Sequence, residues 1–140
     1  MGQGLAIRVY YEDTDASGVV YHANYLRWFE RARTEWLRQY GFSQERLLRE
    51  AGVGFTLASI NVRYLRPARL DDELLVLTRV IAVGKASIRF EQEIQYAGDG
   101  EGVLAQATVR VGCVGVPDFR PQRMPAALEQ VLNKESGHDG

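Results

Sequence analysis

Two carboxylates, a glycine and a histidine lie close together near the start of the chain. Asp13 and Asp15 precede Gly18 and His22, and Tyr11 lies two residues before Asp13. Glycine permits a tight turn here, and the residues from His22 onward have helical spacing, so free backbone N–H groups with positive dipole character are expected at the helix start. Such donors can polarise a carbonyl oxygen while a carboxylate attacks the carbonyl carbon or activates a water. The stretch therefore has the minimum equipment for acyl transfer.

Each of these residues also has an ordinary structural explanation. A loop aspartate before an apolar run most often caps a turn or helix, and this alternative applies to both Asp13 and Asp15. His22 could serve only as a helix-start residue, and Tyr11 only as a strand tyrosine that packs its ring. A metal site is disfavoured, because the chain has two histidines and no recognised ligand spacing. Cys113, the single cysteine, lies on an apolar strand face, which favours a core residue over a nucleophile.

The element before this stretch is predicted to be a strand. Apolar and polar residues alternate from Leu5 to Glu12, with Ile7, Val9 and Tyr11 on one face. The turn-forming residues of Asp13–Val20 then predict a loop.

The element after it is predicted to be a long amphipathic helix over about His22–Tyr40, because aromatic and other apolar residues recur every three or four positions. Gly41 is a plausible C-terminal stop. A second helix is predicted over Ser43–Ala51, with Ser43 as its cap and Leu47 and Leu48 facing inward.

The rest of the chain is mainly strand, followed by a short terminal helix. The predicted strands are Phe55–Arg66, Glu73–Val83, Lys85–Tyr96 and Val103–Val116, and the predicted helix is Ala126–Asn133. Glu73–Val83 is apolar on both faces, which indicates a strand covered by the helix and by another subunit. One long helix on an antiparallel sheet is an α+β solution. We expect one domain over residues 1–140, with a core at about 5–133 and a frayed tail at 134–140.

The composition excludes several classes of function. The 140 residues are 46% hydrophobic and 25% charged with a net charge of -1, as in ordinary soluble domains, and show no broad electrostatic footprint for nucleic acid or anionic membranes. The apolar runs are too short to span a bilayer. The single cysteine fits a reducing compartment, and no secretory signal pattern is seen. We therefore expect a cytoplasmic protein without membrane insertion.

The motif itself closely resembles the opening motif of the 4-hydroxybenzoyl-CoA thioesterase superfamily, and specifically its Tol-Pal-associated YbgC branch. The matching residues are Tyr11–Asp15, Gly18–His22 and Asn24–Tyr25. The resemblance runs from about Arg8 to Pro125, with PARLDDE at Pro67–Glu73 as a second local similarity. It implies a hotdog fold, in which an antiparallel sheet wraps around one long central helix, and assembly into a homodimer or a dimer-of-dimers homotetramer with sites between subunits.

The resemblance also implies an activity, the hydrolysis of acyl-CoA to a carboxylic acid and CoA. No cofactor is expected, because CoA is part of the substrate. The match makes Asp15 the catalytic carboxylate, as nucleophile or general base, with assistance from Tyr11 and His22, and leaves Asp13 a structural role. A backbone amide near His22 matches the group that polarises the thioester carbonyl. Further substrate contacts are expected at Gly18, Val19, Tyr21, Ala23 and Tyr25.

Some features remain open at this stage. Ser17 stands where many relatives have a second glycine. Lys85 and Arg89 are candidates for CoA phosphate contacts on charge and position alone. Acyl carrier protein is an alternative carrier of the acyl group. Two other functions compete with hydrolysis: hydration or dehydration of acyl thioesters, and a non-enzymatic module that docks an acyl carrier or a Tol-Pal cell-envelope partner.

Overall fold

The protein combines one sheet with three helices in the residues described by the computed structural model, which are 4–98 and 102–136. The strands are β1 (Leu5–Arg8), β2 (Val53–Tyr64), β3 (Glu73–Val83), β4 (Ser87–Tyr96) and β5 (Val103–Gly115). The helices are α1 (His22–Gln39), α2 (Gln44–Ala51) and α3 (Ala126–Glu135). The strand order is β1-β3-β4-β5-β2. The α+β class predicted from periodicity is confirmed.

Two strand pairs of the sheet, β1 with β3 and β2 with β5, are antiparallel. β1 pairs with β3, with Leu5 opposite Val76. Just past the end of β2, Leu65 N–H donates to the carbonyl of Leu104 at the start of β5 (2.8 Å). At the other end, Val116 N–H donates to the carbonyl of Gly52 (3.0 Å). β2 therefore runs antiparallel to β5 and forms one edge of the sheet.

The described residues fall into two compact units, each assembled from separate stretches of chain. The first contains residues up to Trp36, Val62–Thr78 and the described part of 92–107. In its core, the Gln92 side chain donates to the carbonyl of Phe29 on α1 and to the Thr78 hydroxyl on β3, each at 2.9 Å. The side chains buried there are mostly apolar, among them Tyr25, Trp28, Phe29, Ala32, Leu74, Val76, Ile94 and Leu104.

The second unit contains 37–61, 79–91 and the described residues from Thr108 onward. Its α2 begins at a Ser43 side chain that accepts a hydrogen bond from Arg46 N–H, as predicted. Leu47 is buried, but Leu48 is 47% exposed, so the prediction that both face inward is wrong for Leu48. Other side chains buried in this unit include Leu37, Val80, Ile88, Phe90, Val109, Val111, Cys113, Leu128 and Leu132.

The predicted first strand is too long. Ile7 and Val9 are buried as expected, but β1 ends at Arg8, and Tyr11 is 82% exposed rather than on their face. The chain turns because the Asp13 carboxylate accepts a hydrogen bond from Tyr10 N–H (2.9 Å), which closes a 3-10 turn over Tyr11–Asp13. A local side-chain bond of this kind competes with the strand ladder.

The other predicted boundaries shift by a few residues. The long helix is confirmed and ends before Gly41, whose positive φ of 90° suits a residue without Cβ. β3 has the predicted bounds, and β2 begins two residues earlier than expected. α3 extends into the predicted tail as far as Glu135, and residues 137–140 lie outside the described part. The expectation of a single domain stays a prediction.

Candidate active site

The loop from Tyr10 to Tyr21 is closed by its own backbone. Thr14 pairs with Val20, and Val19 pairs with Arg69, in two isolated antiparallel bridges. Val20 N–H also donates to the carbonyl of Ala68 (2.9 Å). The loop is thus held to the segment between β2 and β3, within the first unit.

Asp13 ties this loop to the start of α1. Its carboxylate is bound to Tyr10 N–H, and its carbonyl accepts hydrogen bonds from Tyr21 N–H (3.1 Å) and Asn24 Nδ2 (2.9 Å). Both the side-chain carboxylate and the backbone carbonyl of Asp13 are therefore used in hydrogen bonds that stabilise the loop and the start of α1.

Asp15 is exposed at the tip of a tight turn. Its carbonyl accepts a hydrogen bond from Gly18 N–H (3.0 Å), and its N–H donates to the carbonyl of Val19 (2.9 Å). Gly18 has φ of 84°, a conformation that favours glycine. The Oδ1 atom accepts hydrogen bonds from the hydroxyl (2.5 Å) and the N–H (2.8 Å) of Ser17. Both of these hydrogen bonds end on Oδ1, and within the described residues no hydrogen bond of comparable geometry reaches Oδ2; the N–H groups of Val19 and Asp15 make weaker contacts with the carboxylate.

The hydrogen bonds to Asp15 favour its charged form. The Ser17 hydroxyl is the largest cause that lowers the pKa of the Asp15 carboxyl, followed by the Ser17 N–H. Desolvation opposes them, and the backbone N–H groups of Val19 and Asp15 lower the pKa further by smaller amounts. The carboxylate is therefore ionised at neutral pH.

The first turn of α1 offers backbone donors in the same unit. His22 is the first helical residue, and Asn24 N–H donates to the carbonyl of Tyr21 (2.9 Å). Among the described residues, no backbone hydrogen bond occupies the N–H of His22 or Ala23. Free N–H groups at a helix start are suited to a developing negative charge on oxygen.

The His22 side chain packs among aromatic rings. Its ring centroid lies 4.8 Å from that of Tyr64 and 6.4 Å from that of Tyr21. Tyr64, the last residue of β2, also lies 5.2 Å from the Tyr25 ring. The sequence did not mark Tyr64 as a site residue, because only the folded chain brings the end of β2 to the start of α1.

The two other tyrosines of the prediction have opposite environments. Tyr11 is exposed, and with Tyr10 and Leu70 it lines an open surface depression. Tyr25 is 2% exposed, and its hydroxyl accepts a hydrogen bond from the buried Ala68 N–H (2.9 Å). That burial raises the pKa of Tyr25. The assisting catalytic role of Tyr11 and the substrate-binding role of Tyr25 stay predictions.

The predicted phosphate contacts lie in the second unit. Lys85 and Arg89 are exposed there. The bond from Cys113 N–H to the Ala86 carbonyl (2.8 Å) sets the antiparallel pairing of β4 with β5. Arg110, three residues before Cys113, therefore lies opposite Arg89, three residues after Ala86. Neither guanidinium forms a hydrogen bond or ion pair within the described residues. Arg110 is a candidate anion contact that the sequence did not single out, since it became visible only through the register.

Two kinds of feature are absent from the part of the chain that the structure describes. No group of three or more histidine, cysteine, aspartate or glutamate side chains is arranged to hold a metal ion. No helix there has the length and apolar character needed to cross a membrane.

Comparison with known proteins relates this geometry to a family. Residues 9–132 match the family model of the thioesterase-like superfamily. The chain is 46% identical over 132 residues to the acyl-CoA thioesterase YbgC of Haemophilus influenzae, covering 94% of this chain and 95% of the relative. It is 44% identical over 122 residues to the acyl-CoA thioester hydrolase YbgC of Escherichia coli O6:H1, covering 87% and 89%.

A solved structure agrees with these matches. The crystal structure of a probable thioesterase from Bartonella henselae superposes with a TM-score of 0.79 at 36% identity, covering 86% of this chain and 97% of that one. The hotdog fold that the motif implied is thereby confirmed.

Proposed function

The chain belongs to the thioesterase-like superfamily, and from this membership we propose that it is an acyl-CoA thioesterase in which Asp15 is the acting carboxylate. The relatives named for this activity match over nearly their whole length. The observation that carries the role of Asp15 is its exposed carboxylate, presented by a closed turn with Oδ2 open, in the same unit as the free N–H groups of the α1 start.

The proposed reaction breaks the thioester C–S bond and forms a C–O bond to the acyl carbon. Water supplies the oxygen, and its proton ends on the CoA sulfur, so the products are a carboxylic acid and free CoA. In one route Asp15 takes a proton from the attacking water; in the other it attacks the acyl carbon and forms an anhydride that water opens. Label in the Asp15 carboxylate after turnover in water labelled with heavy oxygen would establish the anhydride route with water attack at Cγ. Because water attack at the acyl carbon leaves Asp15 unlabelled in both routes, trapping of the anhydride with hydroxylamine, followed by mass spectrometry of Asp15, separates the routes in that case.

The helix start supplies the other half of the proposed chemistry. The N–H groups of His22 and Ala23 are the donors that would stabilise negative charge on the thioester oxygen. We assign the His22 ring and the Tyr11 hydroxyl assisting roles, because both are exposed in the same unit as Asp15. Gly18, Val19 and Tyr21 would then contribute to substrate binding mainly by shaping the loop.

A direct test is a panel of acyl-CoA thioesters of graded chain length, including aromatic acyl groups, with thiol release as the readout. Asp15→Asn and Asp15→Ala should reduce kcat by about 100- to 10,000-fold, the usual range for a positioned acid or base. Glu12→Gln is the matched control, since it removes a neighbouring exposed carboxylate. Full activity in folded Asp15 variants would contradict the assignment. Product analysis distinguishes free acid from a hydrated thioester, and a parallel assay with acyl carrier protein tests the carrier.

We also propose that the working form is a homodimer that pairs through β2. This strand is 12 residues long and lies at the sheet edge, where unpaired backbone groups are a template for another strand. Leu57, in its middle, is 51% exposed. Light scattering should show at least a dimer, weakened by Leu57→Lys but not by Leu48→Lys, which alters an equally exposed leucine on α2. A mass of four chains would indicate a dimer of dimers.

The proposed location is the cytoplasm. The buried free thiol of Cys113 and the small net charge are compatible with a reducing compartment and a diffusible substrate. Cell fractionation with an antibody to the native chain would test this placement.

A further inference from the structure

The Ser17 side chain makes the shortest polar contact to the candidate catalytic carboxylate. Its hydroxyl donates to Asp15 Oδ1 at 2.5 Å, and its backbone N–H donates to the same oxygen at 2.8 Å. Both donors converge on one oxygen of the carboxylate. The two oxygens of Asp15 are therefore not equivalent in the folded protein.

The turn around this contact stands without the hydroxyl. It is closed by backbone bonds from Gly18 N–H to the Asp15 carbonyl and from Asp15 N–H to the Val19 carbonyl. The N–H of residue 17 would be present with any residue but proline. The hydroxyl is thus an addition to a turn that glycine or alanine at position 17 could also form.

We propose that Ser17 is a positioning residue, whose hydroxyl holds Asp15 Oδ1 and leaves Oδ2 as the oxygen that reacts. This inference rests on the proposed function, because it presupposes that Asp15 acts on the thioester. A carboxylate held by two donors on one oxygen loses rotational freedom about its Cβ–Cγ bond, so its open oxygen keeps one direction. The hydroxyl would then raise the fraction of time that the carboxylate spends in its reactive orientation.

The same hydrogen bond has a consequence for pH. A donor that binds the charged carboxylate lowers its pKa, and the Ser17 hydroxyl is the first cause of the lowered pKa of Asp15. Charged neighbours do not share this role: the Asp13 carboxylate on the same loop, His22 at the helix start and Arg69 on the packed segment are not among the causes. Removal of the hydroxyl should therefore raise the pKa of Asp15 and shift the acid limb of the activity profile to higher pH.

The experiment compares Ser17→Ala and Ser17→Gly with Ser17→Thr, which keeps a hydroxyl. Two quantities are measured: the Asp15 pKa, by NMR titration of its carboxyl carbon, and kcat and KM as functions of pH. We expect the first two variants to raise the Asp15 pKa, shift the acid limb of kcat upward and leave KM nearly unchanged, and the threonine to restore wild-type values. Ser136→Ala, at the end of α3, is the control and should change neither quantity.

The outcomes separate this inference from the proposed function. An unchanged Asp15 pKa and an unchanged kcat profile in the alanine and glycine variants overturn the positioning role, even if Asp15→Asn abolishes hydrolysis. If instead the pKa rises as expected but wild-type protein hydrolyses no thioester, the hydrogen bond is real and the proposed function is wrong. Circular dichroism of each variant identifies any that fail to fold. If the glycine variant is one of them, the Asp15 pKa of the alanine variant, measured by NMR titration, decides whether Ser17 has the positioning role.

Discussion

The ring of His22, the first residue of α1, lies 4.8 Å from the ring of Tyr64, the last residue of β2, at an interplanar angle of 49°. Tyr64 also approaches the buried Tyr25 ring. The edge strand thereby limits the orientations that the exposed imidazole can adopt. Because the free backbone donors lie at the same helix start, the position of β2 and the geometry of the candidate site are linked within the first unit.

Replacement of Tyr64 should show how much its ring contacts contribute to stability and whether its hydroxyl contributes to activity. Tyr64→Ala removes both aromatic contacts and is expected to lower the free energy of unfolding by about 0.5–1.5 kcal/mol per pair beyond the lost area. Tyr64→Phe keeps the ring and should stay near wild type in stability. Urea denaturation and thiol-release assays check both variants. Equal stability of the alanine and wild-type proteins would show that the ring contacts contribute nothing.

A second relationship lies deeper in the same unit. Arg33 is 8% exposed, and its guanidinium donates to Gln92 Oε1 at 2.9 Å. Burial lowers the pKa of Arg33, partly offset by Glu30, so the charged group depends on its partner. The Gln92 amide is itself bound to the carbonyl of Phe29. This network joins α1 to β4.

Loss of one partner of the Arg33–Gln92 hydrogen bond should destabilise the fold more when the other partner is still present than when it has already been replaced. Gln92→Leu leaves a buried guanidinium without this acceptor, and we expect a loss of about 3 kcal/mol. Arg33→Met should cost less, about 1–2 kcal/mol, since it leaves only a neutral amide oxygen unpaired. The double variant should lose less than the sum of the two. Additive losses in a double-mutant cycle by urea denaturation would argue against the coupling.

The same network contains a feature that the sequence could not predict, namely the burial of Arg33. The helix period identified the apolar stripe of α1, yet it could not assign Arg33 to the core, because the Gln92 that satisfies it is 59 positions away. The prediction that Tyr11 lies in the first strand was wrong for the opposite reason, because a local contact overrides the pattern. Its alternation with Ile7 and Val9 is that of a strand, but a bond from Tyr10 N–H to the Asp13 carboxylate, only three residues away, turns the chain.

The candidate site was predictable to a similar extent. The motif identified the turn at Asp15 and the helix start at His22, both local in sequence, and the structure brings them into one unit. Tyr64 and Arg110 could not be found this way, since their relevance depends on strand ends and register. The sequence showed Ser17 only as a residue that differs from the glycine of many relatives. Its hydrogen bond to Asp15 could not be predicted, because the bond depends on the conformation of the turn.

Removal of metal ions should leave the activity intact. The proposed chemistry uses a carboxylate and backbone donors, and the described residues contain no cluster of metal-binding side chains. Dialysis against EDTA is therefore expected to change kcat by less than twofold, roughly within assay error for a reaction without metal catalysis. Loss of activity that returns on addition of a divalent cation would refute the expectation. Inductively coupled plasma analysis of the dialysed protein confirms that the treatment worked.

The repulsion between Arg89 and Arg110 should lower the stability of the sheet, while their charge should favour the binding of substrate phosphates. Like charges directly opposite on paired strands destabilise a sheet, so Arg110→Gln is expected to raise the free energy of unfolding by about 0.2–1 kcal/mol at low salt, and by less at high salt. If the pair also contacts substrate phosphates, the same variant raises KM without changing kcat. Arg120→Gln, an exposed arginine in the segment after β5, serves as the control for lost charge. No stabilisation at low salt would contradict the register argument.

The thiol of Cys113 should be inert in the native protein and should make stability depend on pH. Its side chain is fully buried, and burial raises its pKa above the ordinary value of 9.0. Since the folded state holds this proton more tightly than the unfolded state, the contribution of Cys113 is fully present below pH 9.0 and is lost as the pH rises further. Cys113→Val should therefore flatten the decline in unfolding free energy above that pH, relative to wild type. A thiol reagent such as DTNB should label the chain in denaturant and leave native protein unmodified; rapid native labelling, or an identical pH profile in the valine variant, would show that the thiol is accessible.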